Sequence, residues 1–257
     1  MAEVGGKGAF TSAVARAVLD GRAELALHCS KDMPGDEPEP DGTLCLYPRR
    51  DDVHDVLVHP AGHKLDVLSA GTRIGTSAPR RIAQLTASHP HLTIVAVRGN
   101  ADTRLGLTHS GHVDAVILAL AGLRRLGRET EATEIIDTDR MRPALGAGQL
   151  ALQIRAEDRD LLHLLTPLTD AAATRAALAE RTLLRPLAGR CHAPIAGHAT
   201  VDAAGELHLA ARVSTPGGSV MLVAARTGPD PRTVGHAVAQ ELIAQGANDL
   251  LASSRRS

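Results

Sequence analysis

Aromatic residues are almost missing: one Phe (Phe10), one Tyr (Tyr47) and no Trp in 257 residues. Stacking of bases on aromatic faces is thereby excluded, so nucleic acid is not an expected partner, and the core must be built from Ala, Val, Leu and Ile. Lysine is scarce too. With Lys7, Lys31 and Lys64 the only lysines among 28 basic residues, the other 25 are Arg, whose planar fork grips carboxylates and phosphates bidentately. The 29 acidic residues balance them, so the molecule has no net field for a polyanion and any positive site is local. Cys29, Cys45 and Cys191 are odd in number and form no C-x-x-C pair, which argues against a disulfide framework or structural zinc and fits a reducing cytoplasm. None of the 13 His falls in an H-E-x-x-H motif, and no metal site is expected. No apolar run reaches the ~18 residues of a membrane span, and Met1 to Lys7 lacks the regions of a signal peptide, so no membrane role is expected.

What is present is globular. Apolar residues make up 44% and charged residues 22%, which excludes disorder as the main state, and the length allows about two domains at ~150 residues each. Phe10, Val14 and Val18 are spaced four apart in a segment that predicts a helix stopping near Gly21. Glu24 to His28 and TLCLY after a Pro- and Gly-rich loop (33–43) predict strands. A strand end at Thr72 to Gly75, Thr76 and Ser77 as N-cap candidates, and Pro79 at the first helical position open a second helix. LTIVAV (92–97), a helix from Asp102 or Thr103, and DAVILA (114–119) complete an alternating pattern that reads as a doubly wound α/β domain. After QLALQIR (149–155), helices are expected from about Ala156 to Leu187, then two or three strands and the helix HAVAQELIAQ, a small α+β unit.

Arg80, Arg81, Arg98 with Gly99 and Asn100, and Arg104 lie just past predicted strands, where open α/β sheets bind ligands. Thr76 and Ser77 add hydroxyls, and the N–H groups of the helix they open suit an anion. A multiply charged carboxylate or phosphate ligand is the reading of this cluster. Lys31 and Asp32 come just after another strand. Asp32 can stabilise a developing cation, or serve as a turn residue or an ion-pair partner. Cys191, between Arg190 and His192, reads either as an inert thiol or as a nucleophile whose pKa is lowered by positive neighbours.

In order along the chain, GGKGAF, ALHCSKDMP, GTSAPRR, RGNADTRL, DAVILALAGLRRLG and LAGRCHAPI resemble the motifs of porphobilinogen deaminase (hydroxymethylbilane synthase). The resemblance runs from Gly5 nearly to the C-terminus. It implies three α/β domains, two resembling class II periplasmic binding proteins and a small α+β third: 1–48 with 148–167, 52–142, and 171–257. It also implies a transferase of porphyrin and heme biosynthesis, a cytoplasmic monomer that adds four porphobilinogen units with loss of ammonia to give hydroxymethylbilane. A dipyrromethane cofactor would be joined by a thioether to Cys191 and bound by Lys31, Thr76, Ser77, Arg80, Arg81, Arg98 and Gly99. Lys7, Arg104 and Arg125 would bind substrate, and Asp32 matches the catalytic aspartate. Each pyrrole carries acetate and propionate, which suits an arginine-rich cleft. The R-x-S-x-L-A-L segment with which members of the family begin is expected to be missing, leaving the first domain incomplete. Ala78 and Ala147 stand where the family has a hydroxyl and a Gln. The alternative is a catalytically silent paralogue that binds a pyrrole or another small polycarboxylate. A regulator's effector domain would share the α/β pattern but not explain Cys191 and its flanking motif.

Overall fold

The computed structural model describes residues 7–35, 39–187 and 193–253. In chain order the first elements are α1 (Lys7–Leu19), β1 (Leu25–Cys29) and β2 (Thr43–Leu46). A middle block comprises β3 (Asp55–Val58), β4 (Arg73–Gly75), α2 (Pro79–Ser88), β5 (Thr93–Val95), α3 (Ala101–His109), β6 (Ala115–Ala119), α4 (Leu120–Arg125) and β7 (Glu134–Ile136). The chain then runs through β8 (Leu150–Arg155), α5 (Arg159–Leu165) and α6 (Ala171–Leu184) to β9 (Ile195–Val201), β10 (Leu207–Ser214), β11 (Met221–Gly228), α7 (Pro231–Ala244) and α8 (Ala247–Ser253).

These strands form three sheets. In the first, β8 returns from far along the chain to lie between β1 and β2, antiparallel to both. Val18 and Ala15 of α1 are buried, and α1 packs on β1 and β8. The second sheet has the order β5-β4-β6-β3-β7. β4 is parallel to β5 and β6, as the alternating pattern predicts, but β3 runs antiparallel to β6 and β7. The purely doubly wound reading is therefore corrected to a mixed sheet. All four residues of β3 are buried, so the strand lacks the period-two alternation that marks a half-exposed one. Leu57, Ile74, Ile117 and Ile136 pack with Leu85 of α2, whereas Val56, Val58, Val116 and Leu118 pack with Leu105 of α3. Both faces are thus covered with aliphatic residues, as the lack of aromatics requires.

The third sheet is the antiparallel meander β9-β10-β11. Its inner face, including Leu209, Ala211 and Val213, packs against Leu183 of α6 and Val238 and Leu242 of α7. On β10 the alternate residues His208 and Arg212 point away from that core. A buried ion pair joins the sheets. Arg50 donates to Glu180 Oε1 at 2.7 Å and to the carbonyls of Ala147 (2.8 Å) and Ala199 (3.2 Å). Glu180 in turn accepts the N–H groups of Gly146 (2.5 Å) and Ala199 (2.6 Å). One carboxylate thereby holds the two segments that cross between the first and second sheets against the third.

Candidate active site

β1 delivers its last residues into a single 3₁₀ turn, Ser30–Asp32. Ser30 is buried and donates its N–H to the Gln149 carbonyl at 2.9 Å, which anchors the turn and leaves Lys31 and Asp32 facing solvent. Behind the turn lies Gly146, at φ +76°, where a Cβ would sit 2.6 Å from the Lys31 backbone nitrogen. Only glycine tolerates that approach. Lys31 is exposed at the end of this turn. Desolvation, and after it the Arg81 charge, lowers its pKa, while Asp32 opposes the shift.

β4 ends at Gly75, and α2 opens on Pro79 in the predicted place. Its N-cap, however, is Ala78, which makes no side-chain cap, so the N-cap expectation for Thr76 and Ser77 is corrected. Thr76 is buried and accepts the Ala78 N–H at 3.3 Å, and Ser77 turns its hydroxyl to the Val97 carbonyl at 2.6 Å. Arg80 and Arg81 are buried and share one carboxylate. Arg80 contacts Asp55 at 2.6 and 3.1 Å; Arg81 contacts it at 2.6 Å and the Ile117 carbonyl at 2.8 Å. Burial pushes the Asp55 carboxyl up, but the two guanidiniums more than reverse this and hold it well below the usual carboxylate range. Arg81 Nε is buried with no hydrogen-bond partner.

Beyond β5, Arg98 and Gly99 are exposed. Gly99 has φ +110°, with Thr103 where a Cβ would go, and its carbonyl accepts from Arg104 Nε at 2.9 Å. Asn100 caps α3 by accepting the Thr103 N–H at 2.8 Å. Burial and then the Arg81 charge lower the Arg104 pKa. Lys31, Asp32, Arg80, Arg81 and Arg104 thus share one electrostatic environment around Asp55. Arg125 is placed differently, exposed at the end of α4 and 3.9 Å from Asp51. Cys191 lies outside the described residues, as does the side chain of Lys7.

Comparison with known proteins gives the cluster its context. Residues 1–163 match the family model "Porphobilinogen deaminase, dipyromethane cofactor binding domain", and residues 174–244 match "Porphobilinogen deaminase, C-terminal domain". Porphobilinogen deaminase 2 of Streptomyces coelicolor is 50% identical over 254 residues, covering 98% of this chain and 81% of the relative. The chain belongs to the porphobilinogen deaminase family. Porphobilinogen deaminases of Brevibacillus brevis and Burkholderia vietnamiensis are 40% and 43% identical over 257 residues, covering 100% and 98% of this chain and 82% and 76% of the relatives. A periplasmic binding protein with high arginine specificity from Salmonella typhimurium aligns over 63% of this chain and 71% of its own with 11% identity and a TM-score of 0.35, too low to argue a shared fold.

The residues present fit the dipyrromethane that the family carries. Lys31, Arg80, Arg81 and Arg104 place four cations against Asp32 and Asp55, leaving a positive excess for an acidic pyrrole chain. The partnerless Arg81 Nε is a buried donor of the kind a ligand completes. Among the described residues no three His, Cys, Asp or Glu side chains are grouped to hold a metal. Cys29 and Cys45 are free, and burial, with the Glu39 charge second, pushes the Cys45 thiol up to about 12. Asp55, Gln84, Arg50 and Glu180 were not singled out by sequence reasoning. For Asp55 a signal existed: an acid opening the otherwise apolar run DVLV, which a buried sheet admits only with paired charge.

Proposed function

We propose that this chain condenses four porphobilinogen molecules stepwise into hydroxymethylbilane, releasing ammonia at each addition, as a transferase of tetrapyrrole synthesis. The observation that carries the reading is the sharing of one buried carboxylate, Asp55, by Arg80 and Arg81, with Lys31 beside them. The dipyrromethane, attached through the Cys191 sulfur and held by Lys31, Thr76, Ser77, Arg80, Arg81, Arg98 and Gly99, would supply the pyrrole terminus that accepts each new unit. Lys7, Arg104 and Arg125 would hold the acetate and propionate groups of incoming porphobilinogen. Asp32, on the 3₁₀ turn facing this field, accepts pyrrole N–H groups and offsets the positive charge that develops as ammonia departs from the aminomethyl carbon.

The same reading divides the chain into 1–48 with 148–167, 52–142 and 171–257, supported by the three sheets. It extends to a monomer in a reducing cytoplasm; the free thiols of Cys29 and Cys45 suit that compartment. The test is ammonia release and hydroxymethylbilane formation when porphobilinogen is added to the holoprotein. Wild type should turn over, and Asp32→Asn should lower kcat by about 100-fold or more, as removal of one transition-state stabiliser does. Wild-type holoprotein that binds porphobilinogen without releasing ammonia would contradict the proposal.

A further inference from the structure

α2 presents Arg80 and Gln84 one turn apart on the same side. Gln84 is 4% exposed, and its amide uses both donors and both lone pairs, its full capacity. Nε2 donates to the carbonyls of Arg80 (3.0 Å) and Arg142 (3.1 Å). Oε1 accepts the Arg142 N–H (2.8 Å) and Arg212 Nη1 (3.3 Å). The side chain therefore grips both backbone polar groups of Arg142, much as a neighbouring strand would. The Arg142 carbonyl so fixed also accepts from Arg80 Nη1 at 3.0 Å, on the guanidinium that Asp55 holds from the other side. Arg212 comes from β10 of the third sheet, and its Nη2 reaches the Asp139 carbonyl at 2.9 Å. Helix α2, the crossing segment around Arg142 and the C-terminal sheet thus meet at one amide.

We propose that Gln84 is a positioning residue: through the Arg142 carbonyl it sets the Arg80 guanidinium for the carboxylates of the pyrrole chain, and through Arg212 it ties that placement to the C-terminal sheet. This rests on the function proposed above. A residue that only filled the space between α2 and the crossing segment would be replaceable by Met, which matches Gln in length and lacks its polar atoms. Gln84→Met breaks the grip on Arg142, so Arg80 loses a fixed acceptor while keeping Asp55.

The test is a double-mutant cycle between Gln84→Met and Arg80→Met in the holoprotein, read as kcat/KM for ammonia release and as porphobilinogen affinity by calorimetry. With Arg80 present, Gln84→Met should lower both by roughly tenfold, the scale of one hydrogen bond to a charged group. In the Arg80→Met background the same change should alter neither, although the Tm falls in both. Arg212→Met should reproduce part of the loss. Equal losses in the two backgrounds, or none with Arg80 present, would overturn the proposal. If Arg80→Met does not fold, Arg80→Lys closes the same cycle, because lysine keeps the charge on Asp55 without a fork to reach the carbonyl. If wild type binds porphobilinogen without releasing ammonia, the functional reading fails and the calorimetric arm alone decides on Gln84. Wild type that does neither overturns both.

Discussion

Asp55 and Lys31 determine the charge of the cleft. Asp55 stays ionised because Arg80 and Arg81 lie on it, and it still leaves one buried guanidinium uncompensated. Lys31 experiences that excess, and its pKa falls from the ordinary 10.5 chiefly through desolvation and then through Arg81. Proton counts give the sign of the consequence. Between the lowered pKa and 10.5 the unfolded chain binds the proton that the folded chain has lost, so Lys31 makes stability rise with pH in that window. A carboxylate ligand favours charged Lys31 and drives proton uptake. Affinity of the cofactor-free protein for the acidic dipyrromethane, which Lys31 is proposed to hold, should therefore decline as pH rises through the lowered Lys31 pKa, before 10.5 is reached. Lys31→Arg, which stays charged, should abolish that alkaline decline. Calorimetric titrations across this range check both; a decline unchanged in Lys31→Arg would remove Lys31 from the site.

At the scale of elements, the sequence marks the ends of strands more clearly than the contacts made by the segments beyond them. The placement of Lys31 and Asp32 after β1, and of Arg80 and Arg81 in the first turn of α2, was legible because Pro79 and the flanking apolar runs mark those boundaries. The burial of both arginines was not legible, because their counter-charge comes from β3, a strand without alternation. Nor was the cap. Thr76 and Ser77 have capping side chains, yet the β4 to α2 connection turns them toward Ala78 and Val97 and leaves Ala78 at the N-cap without a side-chain acceptor. Ala78→Ser should supply one and stabilise the protein by about 1 kcal/mol. Chemical denaturation measures this; an unchanged midpoint would mean that the free N–H groups of α2 already have another acceptor.

Across the whole molecule, the contacts that bring the three sheets together join residues far apart in sequence. Arg50 and Glu180 are separated by 130 residues and Gln84 and Arg212 by 128, and no local pattern announces such pairs. Family motifs picked out candidate site residues without showing this framework. The central claim is that cations from the first two sheets hold an acidic pyrrole chain tethered to sulfur on the third unit. The intact mass of the denatured protein tests it most directly, comparing wild type with Cys191→Ser after incubation with porphobilinogen. The account predicts a dipyrromethane adduct on wild type, turning pink with an aldehyde reagent, and none on Cys191→Ser. An unmodified wild-type mass, or an adduct that persists without Cys191, would contradict it.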